Sequence, residues 1–487
     1  MIELGLQRIS RLLEKTPLPW RAIHVAGTNG KGSICAYISG MLDVYNKSAW
    51  RTRTGHQPLK HAIFTSPHLI DRWDCITIDQ RTVEFSTFSQ VEQAVLTRND
   101  DDGIKASEFE LLTATAFEIF TREEVDISVI EVGMGGRLDA TNIIGQPING
   151  ISTSWSAATF RPPPLVNAIA KIGLDHQGFL GDTIEEIARE KAGIIKPRVP
   201  LVYEKSNDRS VTEEFNACAS TKNTKAFALT ELGIPLARIT FRDLVTALPL
   251  SEIPGGDGPH DLMETSDSHA SQSHVKQNTS VALRATWSAL QQLDRLPTTE
   301  NDLSKQATAE LSTLFKDMLQ VPSRTVFPGR LQRLSIERLT GRKEDILLDG
   351  AHNAQSAQVL ASEVERLREQ ARKDRKPETV TWVLAASDSK DVKEILGPLL
   401  APGDSVFAVE FGPVDGMPWV KPMKTADILD AARAVQHKGL AQLTDCGKDV
   451  GAALRSACER SGEGLLVVAG SLYLVGDVLR LLRDYEA

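Results

Sequence analysis

A short apolar run, a glycine-rich turn and a helical stretch follow one another from Arg21 to Tyr37, and no other segment restricts the fold of this chain so strongly. The turn reads Gly27-Thr28-Asn29-Gly30-Lys31-Gly32-Ser33. Glycines let the backbone wrap closely around an anion, so consecutive N–H groups and the N-terminus of the following helix can hold phosphate oxygens. Lys31 adds a point charge, and Ser33 offers a hydroxyl to a phosphate-bound Mg²⁺. The spelling departs from the common G-x-x-x-x-G-K-[ST] pattern. Its hydroxyl follows Lys31 by two positions, and Val25 stands where the first glycine would. The plain alternative is an ordinary Gly/Asn turn. The strand before and the helix after are the context that a nucleotide-triphosphate loop requires.

At 487 residues the chain is too long for one ordinary core, and two domains are expected. The boundary is placed near Val321–Phe327, ahead of Pro328-Gly329-Arg330, giving domains over residues 1–322 and 323–487. A net charge of −9 argues against a nucleic-acid or anionic-membrane surface, so an anionic substrate needs basic residues gathered in a cleft. Five cysteines (Cys35, Cys75, Cys218, Cys446, Cys458) lack metal-ligand spacing, which fits a reduced intracellular protein. No apolar run approaches bilayer-spanning length. Residues Met1 to Glu14 read as a first amphipathic helix rather than a targeting signal.

Apolar strand-like runs alternate with amphipathic helices, the pattern of an α/β protein with mainly parallel sheets. Strands are expected at Ala22–Ala26, Val125–Val132, Asp345–Leu348, Val380–Ala385, Ser405–Glu410 and Gly464–Ala469. Each ends where open α/β sheets place their ligands. The polar stretch Ser251–Ser280 reads as a surface loop, and Ser152–Pro164 interrupts a strand heading for Ile172.

Several charged side chains stand at informative places. Glu131 ends an apolar strand, ahead of Gly133, Gly135 and Gly136 and the run Arg137-Leu138-Asp139-Ala140-Thr141-Asn142. It reads equally as a Mg²⁺ ligand or as an acid pointing to water. In the helix Thr183–Ala192, Thr183 and Glu186 have capping-box spacing, Asp182 is an alternative cap, and Gly193 ends the helix. Ile184, Ile187, Ala188 and Lys191 fall on one face. Lys191 either packs its stem and extends its ammonium to water, or is desolvated with a lowered pKa. A neutral amine of that kind can add carbon dioxide to become a carbamate. His176, after Leu174-Asp175, reads as structural or ligating. Farther on, Arg330 on a tight turn and Asp349 with His352 after a strand suit phosphate and ribose contacts, or plain turn chemistry with Asp349 as a helix cap.

Taken in order, Gly27–Ser33, Thr65-Ser66-Pro67-His68-Leu69, Glu131–Asn142, Leu174–His176, Glu190–Gly193, Pro328–Gln332, Asp349–Asn353 and Gly470–Leu474 resemble the folylpolyglutamate synthase/dihydrofolate synthase family of Mur-ligase-like ATP-dependent amide ligases. Ile2–Leu6, Asp74–Ile78 and Gly416–Trp419 are most similar to its fungal dihydrofolate synthase branch. The resemblance implies an N-terminal P-loop ATPase domain and a smaller Rossmann-like C-terminal domain. By that match Gly27, Thr28, Asn29, Gly30, Lys31, Gly32, Ser33, Asn278, Arg330, Asp349 and His352 contact ATP. Ser33, Glu131 and His176 hold Mg²⁺, and Lys191 is carbamylated and supports a second ion. Lys31, Lys191 and His176 serve catalysis, while Thr65, Ser66, Pro67, His68 and Asp139 lie near the pterin-side substrate. The implied reaction joins L-glutamate to 7,8-dihydropteroate in a cytoplasmic monomer, with a mitochondrial pool left open. Polyglutamylation, or both reactions, is the nearest alternative; a non-catalytic nucleotide-binding relative and a generic P-loop kinase are more distant ones. Extra residues between Asn46 and His61, at Ser152–Pro164 and around Ser251–His269 depart from the family pattern.

Overall fold

The structure is a computed structural model and describes residues 5–146, 161–229, 269–298, 303–435 and 439–486. Its described residues divide into two compact units that meet in sequence at Thr325 and Val326, with Leu69–Arg72 belonging to the second.

The first unit is built on strands β1 (Arg21–Ala26), β2 (His61–Phe64), β3 (Ile76–Ile78), β4 (Arg81–Thr82), β5 (Ile127–Glu131), β6 (Val166–Ile169), β7 (Leu201–Glu204) and β8 (Ala226–Leu229). They form one sheet in the order β4-β3-β2-β5-β1-β6-β7-β8. All neighbours are parallel except β2–β3 and β3–β4. Strand alternation distributes β1 to both faces. Ile23 and Val25 pack with the helices Lys31–Lys47, His269–Gln292 and Lys305–Leu319. Ala22 and Ala26 face the opposite side, in two separate apolar clusters. Trp287 and Phe315 are fully buried on the first face, each contributing about 1.5–3 kcal/mol by leaving water.

The second unit has β9 (Gln332–Leu334), β10 (Ile346–Leu348), β11 (Val380–Leu384), β12 (Ser405–Ala408), β13 (Gln442–Asp445) and β14 (Leu465–Ala469), ordered β13-β12-β11-β14-β10-β9. Only β9 runs antiparallel to its neighbour. Apolar clusters cover both faces of this sheet, as a parallel sheet requires. Mixed α/β architecture with mainly parallel sheets is thus realised in both units.

Two sequence expectations change. The polar stretch 251–280 is not wholly a loop, because residues from His269 onward belong to the helix His269–Gln292. Its later residues Val281, Ala282, Leu283, Ala285 and Trp287 are buried and anchor it, so the helix continues into polar sequence that carries no apolar stripe of its own. Residues 251–268 lie outside the described residues, as do 152–160 of the other interruption. The extra residues after Asn46 are folded. Ser48 caps the helix Ala49–Thr54 by accepting from Arg51 N at 3.2 Å, and Trp50 is buried with its Nε1 donating to Arg295 O at 2.8 Å.

Candidate active site

Strand β1 delivers the glycine turn at the centre of the first sheet, with β5 on one side and β6 on the other. The turn is braced before it meets any ligand. Thr28 N and Asn29 N both donate to Lys171 O, at 2.9 and 3.3 Å, and Thr28 Oγ1 donates to Gly173 O at 3.0 Å. The helix begins with Gly30 at φ 90°, a left-handed conformation that favours glycine. A side chain there would also lie 2.5 Å from Asn278 Oδ1, so Asn278 packs directly on the turn. The first intrahelical bond is Ile34 N to Gly30 O. The N–H groups of Lys31, Gly32 and Ser33 precede it and lie at the positive end of the helix. Thr28 N and Asn29 N are already engaged by Lys171 O, so the N–H groups at the helix start are the candidate anion donors.

Parallel register sets Glu131 of β5 beside Val25 of β1. Its carboxylate is 94% buried and lies 3.7 Å from Lys31 Nζ, which also donates to Thr28 O at 3.3 Å. Glu131 is thus paired rather than an acid pointing to water, as burial of a carboxylate demands.

The helix Ile184–Ala192 brings Lys191 to the same place. Thr183 and Glu186 form the capping box, so Thr183 rather than Asp182 is the cap. Gly193 ends the helix with φ −59°, not in the left-handed form; it is small because a Cβ would meet Arg137 Cβ at 2.3 Å. Lys191 is buried and its Nζ donates to Gly27 O at 2.8 Å. Its ammonium does not extend to water. Burial, reinforced by the Lys31 charge, lowers its pKa to about 7, against the opposing pull of the Asp175 and Asp139 carboxylates.

Asp139 is buried, and its oxygens accept from Met134 N at 2.9 Å, Thr141 N at 3.0 Å and Thr141 Oγ1 at 2.5 Å. It caps the 3₁₀ turn Ala140–Ile143, and burial raises its pKa. His176 stands at φ 56° before the short helix Gln177–Leu180, with its side chain 46% exposed and its Nε2 3.9 Å from Asp175 Oδ2. Thr65, Ser66, Pro67 and His68 follow β2, which β5 separates from β1; Thr65 N donates to Cys75 O at 3.0 Å. Among the described residues no three His, Cys, Asp or Glu side chains gather as a metal-holding group. A Mg²⁺ arriving on a triphosphate needs only one or two protein carboxylates, and Glu131, buried beside the glycine turn, could be one of them.

The second unit brings its own two motifs together. Asp349 is buried and accepts from Leu331 N at 2.7 Å and Ala351 N at 2.8 Å, while Gly350 N donates to Gly329 O at 2.8 Å. Burial raises the Asp349 pKa, and Arg330 opposes the rise. Asp349 is not a helix cap, because Asn353 caps the helix Ala354–Lys373. His352 Nδ1 is 2.7 Å from Gly350 O. Residues missed from sequence are Asp175, whose charge acts on Lys191, and Lys171, whose carbonyl braces the turn. The run Leu174-Asp175-His176 is legible, but nothing in the sequence shows that the Asp175 charge acts on a lysine sixteen residues later.

Fold and site together define a two-unit α/β protein with mainly parallel sheets and a glycine-rich turn at the carboxyl end of a central strand. A family model described as "Dihydrofolate synthetase, C-terminal domain" matches residues 332–481. The chain is 32% identical to the probable dihydrofolate synthetase of Schizosaccharomyces pombe and 32% identical to the dihydrofolate synthetase of Saccharomyces cerevisiae, each over 99% of both chains. It is 26% identical to the dihydrofolate synthase/folylpolyglutamate synthase of Bacillus subtilis, over 99% of this chain and 96% of that one. In fold it is similar to Mycobacterium tuberculosis folylpolyglutamate synthase complexed with ADP (TM-score 0.67, 21% identity, 99% of this chain and 95% of that chain). It is also similar to the Yersinia pestis bifunctional enzyme complexed with AMPPNP and a Mn ion (TM-score 0.64, 23% identity, 99% and 94% covered). The chain belongs to the dihydrofolate synthase/folylpolyglutamate synthase family.

Proposed function

We propose that this chain is a dihydrofolate synthase, which joins L-glutamate to 7,8-dihydropteroate with ATP to give 7,8-dihydrofolate, ADP and phosphate. The observation that carries this reading is end-to-end similarity to two fungal dihydrofolate synthetases. The phosphate turn, Lys31, Glu131 and Lys191 converging at the carboxyl end of β1 supply matching chemistry.

A carboxylate is a poor acylating agent, so the γ-phosphoryl group of ATP passes to the dihydropteroate carboxylate to form an acyl phosphate. The amine of glutamate then attacks the acyl carbon, a tetrahedral intermediate forms, and phosphate leaves as the amide bond closes. The helix-start N–H groups of Gly32 and Ser33 hold the phosphates, and the Lys31 ammonium offsets charge during transfer. Gly27, Thr28, Asn29 and Gly30 shape the cradle, and Asn278 fixes its edge. Arg330, Asp349 and His352 contribute nucleotide contacts from residues 323–487. Mg²⁺, when bound, neutralises phosphate charge; Glu131 would hold it, with Ser33 and His176. The buried Lys191 amine, its pKa lowered to about 7, is suited to add carbon dioxide with loss of a proton; the resulting carbamate would supply oxygens to hold a second ion. Thr65–His68 and Asp139 lie on the pterin side, with Asp139 acting through the turn that it caps. The proposed setting is a cytoplasmic monomer, with a mitochondrial pool left open. Among the described residues no helix is long and apolar enough to cross a membrane.

The test is direct: purified protein with Mg²⁺-ATP and L-glutamate, given dihydropteroate or tetrahydrofolate, with phosphate and conjugate measured. Product from dihydropteroate alone is expected. Extension of tetrahydrofolate as well would move the assignment to a bifunctional enzyme, the reading favoured by the similarity to the Bacillus subtilis protein. Absence of product in both, from folded protein that binds ATP, overturns the proposal.

A further inference from the structure

The chain leaves β2 at Thr65 and returns at Cys75, and the far part of this excursion, Leu69–Arg72, packs within the second unit. The helix Leu472–Glu486 holds it there at successive residues. Gly476 lets the strap cross, because a Cβ at that position would lie 2.0 Å from Leu69 O. One turn on, Arg480 Nη2 donates to Ile70 O at 2.7 Å while Arg480 Nη1 donates to Asp477 Oδ1 at 2.7 Å. Asp477 is itself fixed, accepting from Gly412 N at 2.7 Å. Arg483, three residues after Arg480 and so on the same helical face, pairs with Asp71. Finally, the Arg72 guanidinium lies 3.2 Å from where a Cβ on Gly416 would sit. A planar, forked donor that satisfies a carboxylate and a backbone carbonyl at once fixes both partners in a way that an ammonium does not.

We propose that Arg480 and Arg483 are positioning residues for the pteridine substrate: they hold Leu69–Arg72 and so set the course of the adjoining Thr65–His68. The proposal rests on the reading that Thr65–His68 lies on the pterin side. Neither arginine touches substrate. Their effect falls on the KM for the pteridine acid, not on nucleotide handling.

The experiment compares wild type with R480M, R480K, R483D, D71R and the D71R/R483D pair in the full-length protein. KM for dihydropteroate and for ATP are measured together with melting temperature. R480M is expected to raise the dihydropteroate KM about tenfold, the scale of one hydrogen bond to a charged donor. Its ATP KM stays unchanged, and R480K recovers part of the loss. R483D and D71R each raise the same KM about twofold or more, since an exposed pair is weak, and the reversed pair restores it. Hydrogen exchange of the peptide spanning residues 69–75 quickens in R480M. An unchanged dihydropteroate KM in folded variants overturns the clamp, as does a parallel rise in both KM values. A wild-type protein that makes no dihydrofolate overturns instead the functional reading, and the positioning role falls with it.

Discussion

Lys191 gathers burial, a neighbouring charge and a hydrogen bond at one atom. Its Nζ is buried against Gly27 O, with the Lys31 charge adding to burial in favouring the neutral amine. Lys191→Met keeps the stem in its apolar stripe and removes the amine. The expected outcome is a kcat lower by about 10²-fold or more, with melting temperature changed by about 4 °C at most. Loss of folding with loss of activity would assign Lys191 to structure instead. His24 gives a different case, a buried titratable group outside the residues proposed for catalysis. It is fully buried on β1 with its Nε2 2.9 Å from Thr141 Oγ1. Burial, with Lys196 nearby, lowers its pKa from 6.5 to about 3. Between those values the unfolded chain binds a proton that the folded chain does not, so stability falls as pH drops through this window. At pH 5 the loss from this one group is about 2 kcal/mol relative to pH 7. His24→Gln is expected to unfold less steeply with acid than wild type in urea melts at pH 7, 6 and 5. Parallel pH profiles for the two proteins would refute the assignment.

At the scale of elements, the position of the helix Ile184–Ala192 is set by its end. Arg137 N donates to Glu190 O at 2.8 Å, and Asn142 Nδ2 donates to Arg137 O at 3.0 Å and to Gly193 O at 3.3 Å. Gly193→Ala would drive a Cβ to 2.4 Å from the Arg137 backbone Cα, which cannot move without breaking these bonds. The expected destabilisation is about 2 kcal/mol, accompanied by a lower kcat because Lys191 shifts away from the phosphate turn. Retained stability and activity, measured by urea unfolding and phosphate release, would show that the joint yields. The sequence exposed this helix well, since its cap, its apolar stripe and its lysine all lie within one short periodic run. It exposed the joint poorly, because Gly193 read as a stop signal when its smallness serves a contact with a residue 56 positions earlier. The same limit hid the helix carrying Asn278: its early turns are polar, and only the buried Trp287 end reveals that they continue a helix. The alternative reading of Asp349 as a cap arises in the same way, since one of its partners, Leu331 N, comes from another turn. Local periodicity is legible; pairings between distant turns are not.

Over the whole molecule, each unit owns its apolar clusters. Ile23, Val25, Trp287 and Phe315 belong to the first, while Trp382, Val406, Phe407 and Val468 belong to the second. Cooperative unfolding follows shared cores, so two cores give two transitions unless the units stabilise each other strongly. Tryptophan fluorescence distinguishes them. In residues 326–487 the tryptophans are Trp382, fully buried, and Trp419, half exposed, so W382F silences most of the second unit's signal and leaves the first unit's intact. Urea titration of wild type is expected to show two steps and that of W382F to lose the amplitude of one. Nucleotide then assigns the steps to function. ADP at about one hundred times its Kd adds about 2.7 kcal/mol to the unit that binds it. The helix-start donors and Lys31 lie in the first unit, so the step retained in W382F is the one that moves to higher urea. If ADP shifts only the step that W382F removes, nucleotide is held by Arg330, Asp349 and His352 without the phosphate turn, and the catalytic reading of Lys31 and Glu131 fails. A single transition that coincides by fluorescence and circular dichroism would instead show that the two cores unfold as one.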